Sequence, residues 1–138
     1  MEISTTKVPY QEQVLALYDC VGWTSYTKEP EVLARAHANS DFLVYAYNDD
    51  HQLIGLARAI SDDATICYVQ DILVRPEAQR TGAGRKLFAA VQERFEHLRQ
   101  FVLITDDDPG QRAFYESMGL REGNNFHPGV IRVFARFS

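Results

Sequence analysis

At 138 residues the chain has room for one domain and one core, and 46% apolar residues are enough to fill that core. No apolar run approaches the ~18 residues of a membrane helix, and Met1-Glu2-Ile3-Ser4-Thr5-Thr6-Lys7 lacks the charged-then-apolar form of a signal peptide, so neither a membrane-embedded nor a secreted protein is expected. A formal charge of -5 argues against a nucleic-acid surface, and Cys20 and Cys67, far apart and without metal spacing, read as reduced thiols of a cytoplasmic protein.

Glu2 to Val8 alternates weakly, which predicts a first strand ending at Pro9. Val14, Leu17 and Tyr18 share one face of a short helix over Gln11 to Tyr18. Cys20-Val21-Gly22-Trp23-Thr24-Ser25-Tyr26 breaks that period and reads as a loop. Glu29-Pro30 opens a second helix, with proline where a missing N–H costs little. Val32, Leu33, Ala36 and His37 form its expected inner face, and Asn39 or Ser40 stops it. Phe42 to Tyr47, Leu53 to Ile60 and Thr65 to Val74 are three strands, with turns at Asn48-Asp49-Asp50-His51 and Ser61-Asp62-Asp63 between them.

The third of these strands ends in Ile72-Leu73-Val74, and Pro76 stops it for want of an N–H. A glycine-bearing loop follows, Gln79-Arg80-Thr81-Gly82-Ala83-Gly84, and then Leu87, Phe88, Val91, Phe95 and Leu98 recur at helical spacing. The first turn of that long helix presents unpaired N–H groups beside two glycines and the cations Arg80 and Arg85, the physical description of a phosphate site. It is not a Walker loop, since no Gly-Lys-Ser/Thr stands at the required spacing, and Leu87 occupies the place of the third glycine of a dinucleotide fingerprint. Phe101 to Thr105 is the next strand, expected parallel to the one before the helix. Asp108 caps a further helix with Pro109 in its first turn, and Gly119 ends it. Arg121 begins a strand, Asn124 to Gly129 is a loop, and the alternating Val130 to Phe137 predicts a final strand.

The pattern Gln/Arg-x-x-Gly-x-Gly/Ala, after a strand and at the head of a long helix, resembles the pyrophosphate loop of the GCN5-related N-acetyltransferases, the GNAT superfamily. A second stretch, Ala113-Phe114-Tyr115-Glu116-Ser117-Met118-Gly119-Leu120, resembles the family's Ala-x-x-Phe-Tyr-x-x-x-Gly-Phe signature, and the order of elements follows the family throughout. The resemblance implies a single α/β domain over residues 1–138. Its antiparallel meander leads into a parallel strand pair that splays to hold acetyl-CoA. It also implies an acetyl-CoA-dependent acetyltransferase with an amine acceptor. His37, His51, His97 and His127 show no ligand pairing, so no metal is expected, and the charge and the lack of a long apolar run argue against a nucleic-acid or membrane partner; a homodimer is open to such a domain. One departure stands out: many members carry Asn at the start of the Tyr-bearing helix, where this chain has Asp108-Pro109-Gly110-Gln111, so Gln111 is the candidate for that contact with the CoA arm.

Residue by residue, the resemblance gives Gln79, Arg80, Thr81, Gly82, Ala83, Gly84 and Arg85 to the pyrophosphate. It gives the strand backbone of Ile72, Leu73 and Val74 to the pantetheine amides and the thioester carbonyl. Tyr115 would protonate the departing thiolate. From pKa ~10 to ~8.5 that transfer is uphill by ~1.5 units, about 2 kcal/mol; the alternative is a tyrosine that only fills the core. Asp71 is the candidate base for the amine proton, directly or through water, because alternation sends it with Leu73 to one face and Gln70, Ile72 and Val74 to the other. Its alternative is an aspartate satisfied by a backbone N–H. Trp23, Tyr26 and His127 are the candidates for lining an acceptor pocket, with core filling as the other role for Trp23. A small-molecule amine is the first acceptor class. A protein lysine or N-terminus is a variant of it, and a non-catalytic acyl-CoA-binding or sensing module is a second function of another class.

Overall fold

A computed structural model describes all residues from Met1 to Ser138. They form two compact units, Met1–Ile104 and Thr105–Ser138.

The first unit is built on a five-stranded sheet in the order β1-β2-β3-β4-β5: β1 Glu2–Ser4, β2 Phe42–Tyr47, β3 Leu53–Ser61, β4 Ile66–Val74 and β5 Gln100–Leu103. The first four are antiparallel neighbours, and β4 and β5 are parallel, joined by the crossover helix α4 Ala83–Arg94. Helices α1 Gln11–Cys20, α2 Thr24–Thr27 and α3 Pro30–Ala38 lie between β1 and β2 in the chain. Local chemistry sets the meander. The Asn48 side-chain oxygen accepts from the N–H groups of Asp50 and Gln52, closing the β2–β3 turn with His51 at φ 61. Asp62 does the same for Ala64, Thr65 and Ile66 in the next turn. Val14, Leu17, Tyr18 and Leu33 pack with Tyr45, Tyr47, Leu53, Leu56 and Leu73 as one core cluster. Leu87, Phe88 and Val91 of α4 are fully buried at the helical spacing read from the sequence.

Several expectations need correction. β1 stops at Ser4 rather than Val8, because the Ser4 hydroxyl accepts from the N–H groups of Thr6 and Lys7 and turns the backbone away. The expected loop at Cys20 to Tyr26 contains the one-turn helix α2. Val32 faces solvent at 44% exposure, since α3 turns Leu33 inward instead. Helix α4 ends at Arg94, so Leu98 lies beyond it.

The second unit holds α5 Pro109–Ser117, capped by the Asp108 carboxylate accepting from Gly110 N–H at 2.9 Å and ended by Gly119 at φ 93. After it comes a 3-10 turn at Gly123–Asn125 and then irregular chain. Neither strand expected after Arg121 forms: alternation alone does not make a strand, which needs an edge to bond with, and no residue after Leu103 belongs to a sheet.

Candidate active site

The phosphate-site features stand together in the first unit. Gly82 precedes α4 with φ 90, a left-handed conformation that side chains resist, and a Cβ built there would meet nothing within 4 Å. Arg80, two residues earlier, is also left-handed at φ 66 and exposed. The Gly82 carbonyl accepts the first helical bond, from Lys86 N–H at 3.0 Å, which leaves the earlier N–H groups of the turn at the positive end of the helix dipole. Ala83 is 1% exposed, so it can offer a ligand only backbone, whereas Arg85 and Thr81 are exposed. The Gln79 amide donates to the Val74 carbonyl at 3.2 Å and so ties the loop to the end of β4.

The β4–β5 pairing runs only from Ile66↔Gln100 to Val69↔Leu103, while β4 stays bonded to β3 as far as Val74. From Gln70 to Val74, therefore, the edge of β4 turned away from β3 has no strand partner. That edge covers Ile72, Leu73 and Val74, and a chain of amides could bond there as an added strand would. An open glycine cradle, the N–H groups at the start of α4, exposed arginines and an open strand edge together fit a ligand with a pyrophosphate and an amide arm.

Asp71 points to the opposite face from Ile72 and is 2% exposed, as alternation required. Its Oδ2 accepts from Tyr18 OH and from Arg58 Nε, both at 2.7 Å, and its Oδ1 accepts from Tyr26 OH at 2.9 Å. Its partners are therefore side chains rather than the backbone N–H of the alternative reading. Tyr26 in turn accepts from the Gln70 amide at 3.2 Å. Tyr18 has spent its one proton on Asp71, so His37 Nε2, 3.0 Å from the same hydroxyl, carries the donor hydrogen. His37 is neutral, its pKa lowered to about 4 by burial and then by the nearby Arg58 cation. Burial, followed by the Asp71 charge, pushes Tyr18 and Tyr26 above the usual phenol value. For Arg58 the loss of water works downward, yet Asp71 outweighs it and the guanidinium is held charged. Tyr18, Arg58 and His37 were not read as site residues. The signal was there: Arg58 is the lone charge in an otherwise apolar Leu53–Ile60 run, and it stands opposite Asp71 across the β3–β4 ladder.

Trp23 and Tyr26 are half-buried rather than exposed, with Tyr18 centred 5.9 Å from Trp23 and 4.9 Å from Tyr26. Trp23 thus does pack on the core, as does Tyr26, whose hydroxyl lies within reach of the Gln70 amide. In the second unit, Tyr115 is 8% exposed and its ring meets Phe114 edge-on at 5.1 Å. Burial raises its pKa to about 12. Gln111 is half-buried in the first turns of α5, and His127 is exposed in the loop beyond the 3-10 turn.

Known proteins resemble this chain in sequence and in fold. A family model described as an acetyltransferase (GNAT) domain matches residues 7–126. An uncharacterized N-acetyltransferase of Gracilaria tenuistipitata var. liui is 31% identical over 110 residues, covering 75% of this chain and 58% of that protein. A GNAT-family acetyltransferase structure from Streptococcus pneumoniae TIGR4 superposes with a TM-score of 0.81 at 29% identity, covering 99% of this chain and 98% of the other. An aminoglycoside 6'-N-acetyltransferase solved with coenzyme A has a TM-score of 0.66 at 20% identity, over 86% and 72% of the two chains, a likeness of fold.

Proposed function

This chain belongs to the GNAT acetyltransferase family, and we propose on that premise that it moves an acetyl group from acetyl-CoA to a primary amine, most simply of a small molecule, as one domain spanning both units. The observation that carries the reading is the opening of the β4 edge beside the Gly82 cradle. Pyrophosphate oxygens accept from the N–H groups of Gly82 to Arg85, with Arg80 and Arg85 supplying charge. The pantetheine amides bond along Ile72 to Val74 like an added strand, and a backbone N–H there polarises the thioester carbonyl. Gln111 takes the arm contact that Asn makes elsewhere in the family.

The amine nitrogen attacks the thioester carbon, the new C–N bond forms, and the C–S bond breaks with its electron pair on sulfur. Two protons then have to move. The amine proton leaves through Tyr26, which takes it at its oxygen while passing its own to Asp71 Oδ1; this route is supported by the 2.9 Å bond and by the absence of any exposed face on Asp71 itself. Asp71 is in this reading a positioning group and final acceptor, reached through Tyr26 rather than by direct contact with substrate. Tyr115 protonates the thiolate. Its pKa of about 12 keeps it in the donor form across the neutral range. Against a free thiol near ~8.5 the step is uphill by ~3.5 units, roughly 5 kcal/mol, more than an unperturbed phenol implies. The same loss of water raises a buried thiolate too, which narrows that gap.

The test is release of free CoA thiol by purified protein across a panel of small amines, lysine peptides and N-terminal peptides. Turnover with at least one small amine is expected. Acetyl-CoA binding without thiol release on any acceptor would make the chain an acyl-CoA sensor. With an acceptor in hand, Tyr115→Phe should lower kcat by at least about 10-fold at nearly constant acetyl-CoA affinity, because its bond is made mainly as charge develops on sulfur.

A further inference from the structure

Gln70 precedes Asp71 in β4, and strict alternation would send its side chain to the opposite face. The β3–β4 ladder breaks that alternation. Arg58 pairs with Asp71 and Ala59 with Val69, so Gln70 has no residue opposite it on β3 and is the extra residue of a β-bulge. The bulge re-aims its side chain, and Gln70 and Asp71 reach the same phenol: Gln70 Nε2 lies 3.2 Å and Asp71 Oδ1 2.9 Å from the Tyr26 hydroxyl. Pairing with β5 ends one residue earlier, at Val69↔Leu103, so Gln70 is also the first residue of the free β4 edge. Every group in this arrangement belongs to the Met1–Ile104 unit.

The two bonds run in opposite senses. Tyr26 has one hydroxyl hydrogen and gives it to Asp71, so toward Gln70 it can only accept, and the amide must present its nitrogen. Their effects on the phenol differ accordingly. Burial, then the Asp71 charge, hold the proton on Tyr26, whereas the Gln70 bond favours its release. A phenol that relays a proton passes through a moment of negative charge, when its own hydrogen has left and the incoming one has not yet bonded. A donor already aimed at the oxygen stabilises that charge with no rearrangement at the time of transfer.

We propose that Gln70 is a positioning residue for the acetyl transfer: its amide holds the Tyr26 oxygen between Asp71 and the incoming amine and stabilises the charge on that oxygen while the proton passes. The step balances. The amine gives one proton to the Tyr26 oxygen, Tyr26 gives its own to Asp71 Oδ1, and the phenol is restored with Asp71 as the neutral acid, while Gln70 keeps both amide hydrogens. This role rests on the proton route through Tyr26 set out above. The competing role is a purely structural tie, since Gln70 also links β4 to α2, a helix of four residues. A tie acts on the fold and on the shape of the pocket; a charge-stabilising donor acts on the rate of proton transfer.

Gln70→Met keeps the length of the side chain and removes the amide. In the full chain, with an amine that the wild type acetylates, kcat should fall about 10-fold, less than the roughly 10²–10³-fold lost with a donor in an enclosed oxyanion site. Acetyl-CoA affinity and the urea midpoint should stay as in the wild type. The solvent deuterium isotope effect on kcat should rise, because proton passage through Tyr26 becomes the slower step, and Gln70→Ala should repeat both results. In a Tyr26→Phe background, with no phenol oxygen to stabilise, Gln70→Met should change kcat by less than about 2-fold. Wild-type kcat in Gln70→Met, an unchanged isotope effect, or an equal loss without the Tyr26 hydroxyl would each overturn the role of Gln70 alone. So would a lowered urea midpoint with a raised amine KM at constant kcat, the mark of a tie. Wild-type protein that binds acetyl-CoA and turns over no amine would instead overturn the reaction itself, and this role with it.

Discussion

Asp71 is the residue around which the first unit's polar interior is arranged, and it accepts from Arg58, from Tyr18 with His37 behind it, and from Tyr26 with Gln70 behind it. Removing its charge leaves the Arg58 guanidinium, 6% exposed, without an anionic partner, since its other bond is to the neutral Ser40 hydroxyl at 3.3 Å. Asp71→Asn should therefore cost about 3–5 kcal/mol in urea unfolding, and Arg58→Met with Asp71→Leu should recover most of that loss, because the desolvation of both ions disappears together. His37 makes a second, pH-dependent contribution. Its pKa is about 4 folded against 6.5 free, so the unfolded chain binds the extra proton between those values. Stability should fall as pH drops from 6.5 toward 4, by up to about 3 kcal/mol from this residue, and His37→Gln should flatten that slope; an equal slope in the variant would assign the effect to the carboxylates. Much of this cluster escaped a reading of the sequence for a physical reason. The direction of Asp71 follows from alternation within one strand, but its pairing with Arg58 depends on the register between two strands, and that register shifts at a bulge between Arg58 and Ala59.

Among elements, the β4–loop–α4 unit carries the ligand reading and was legible in detail, because glycine, proline and helix-start chemistry are local. Gly55 shows how tightly that unit is set on the sheet. A Cβ there would lie 2.9 Å from the Leu73 carbonyl oxygen, 3.0 Å from Leu87 Cδ1 and 3.3 Å from Val74 Cγ2, so β3, β4 and α4 meet at this point. Gly55→Ala should cost about 1–3 kcal/mol in stability and also weaken acetyl-CoA binding, since relief of the clash displaces the strand end and helix that hold the ligand. Gly84→Val tests the cradle more directly. Gly84 is not left-handed, so the fold should persist within roughly 1 kcal/mol while CoA affinity falls at least about 10-fold through exclusion of the pyrophosphate. Normal CoA binding by a folded Gly84→Val protein, measured by calorimetry, would remove the loop from the site. The elements that failed are of another kind. A strand after Arg121 is a non-local object, and its alternation says that one face wants burial without saying against what.

At the scale of the molecule, the family model runs from residue 7 to 126 across both units. It spans 58% of the length of the first curated relative it matches, and no helix is long and apolar enough to cross a membrane. Acetyl-CoA as the ligand of the β4 edge and the α4 N-terminus is the central claim. Ligand bound only by the folded protein must raise its melting temperature, and at a hundredfold excess over the dissociation constant the gain is about 2.7 kcal/mol, a shift of several degrees. A thermal melt of the full chain with millimolar acetyl-CoA or CoA, against adenosine as control, measures this directly. A clear rise is expected with both thioester and thiol and little with adenosine; a melt unchanged by either form of the coenzyme would contradict acetyl-CoA as the ligand.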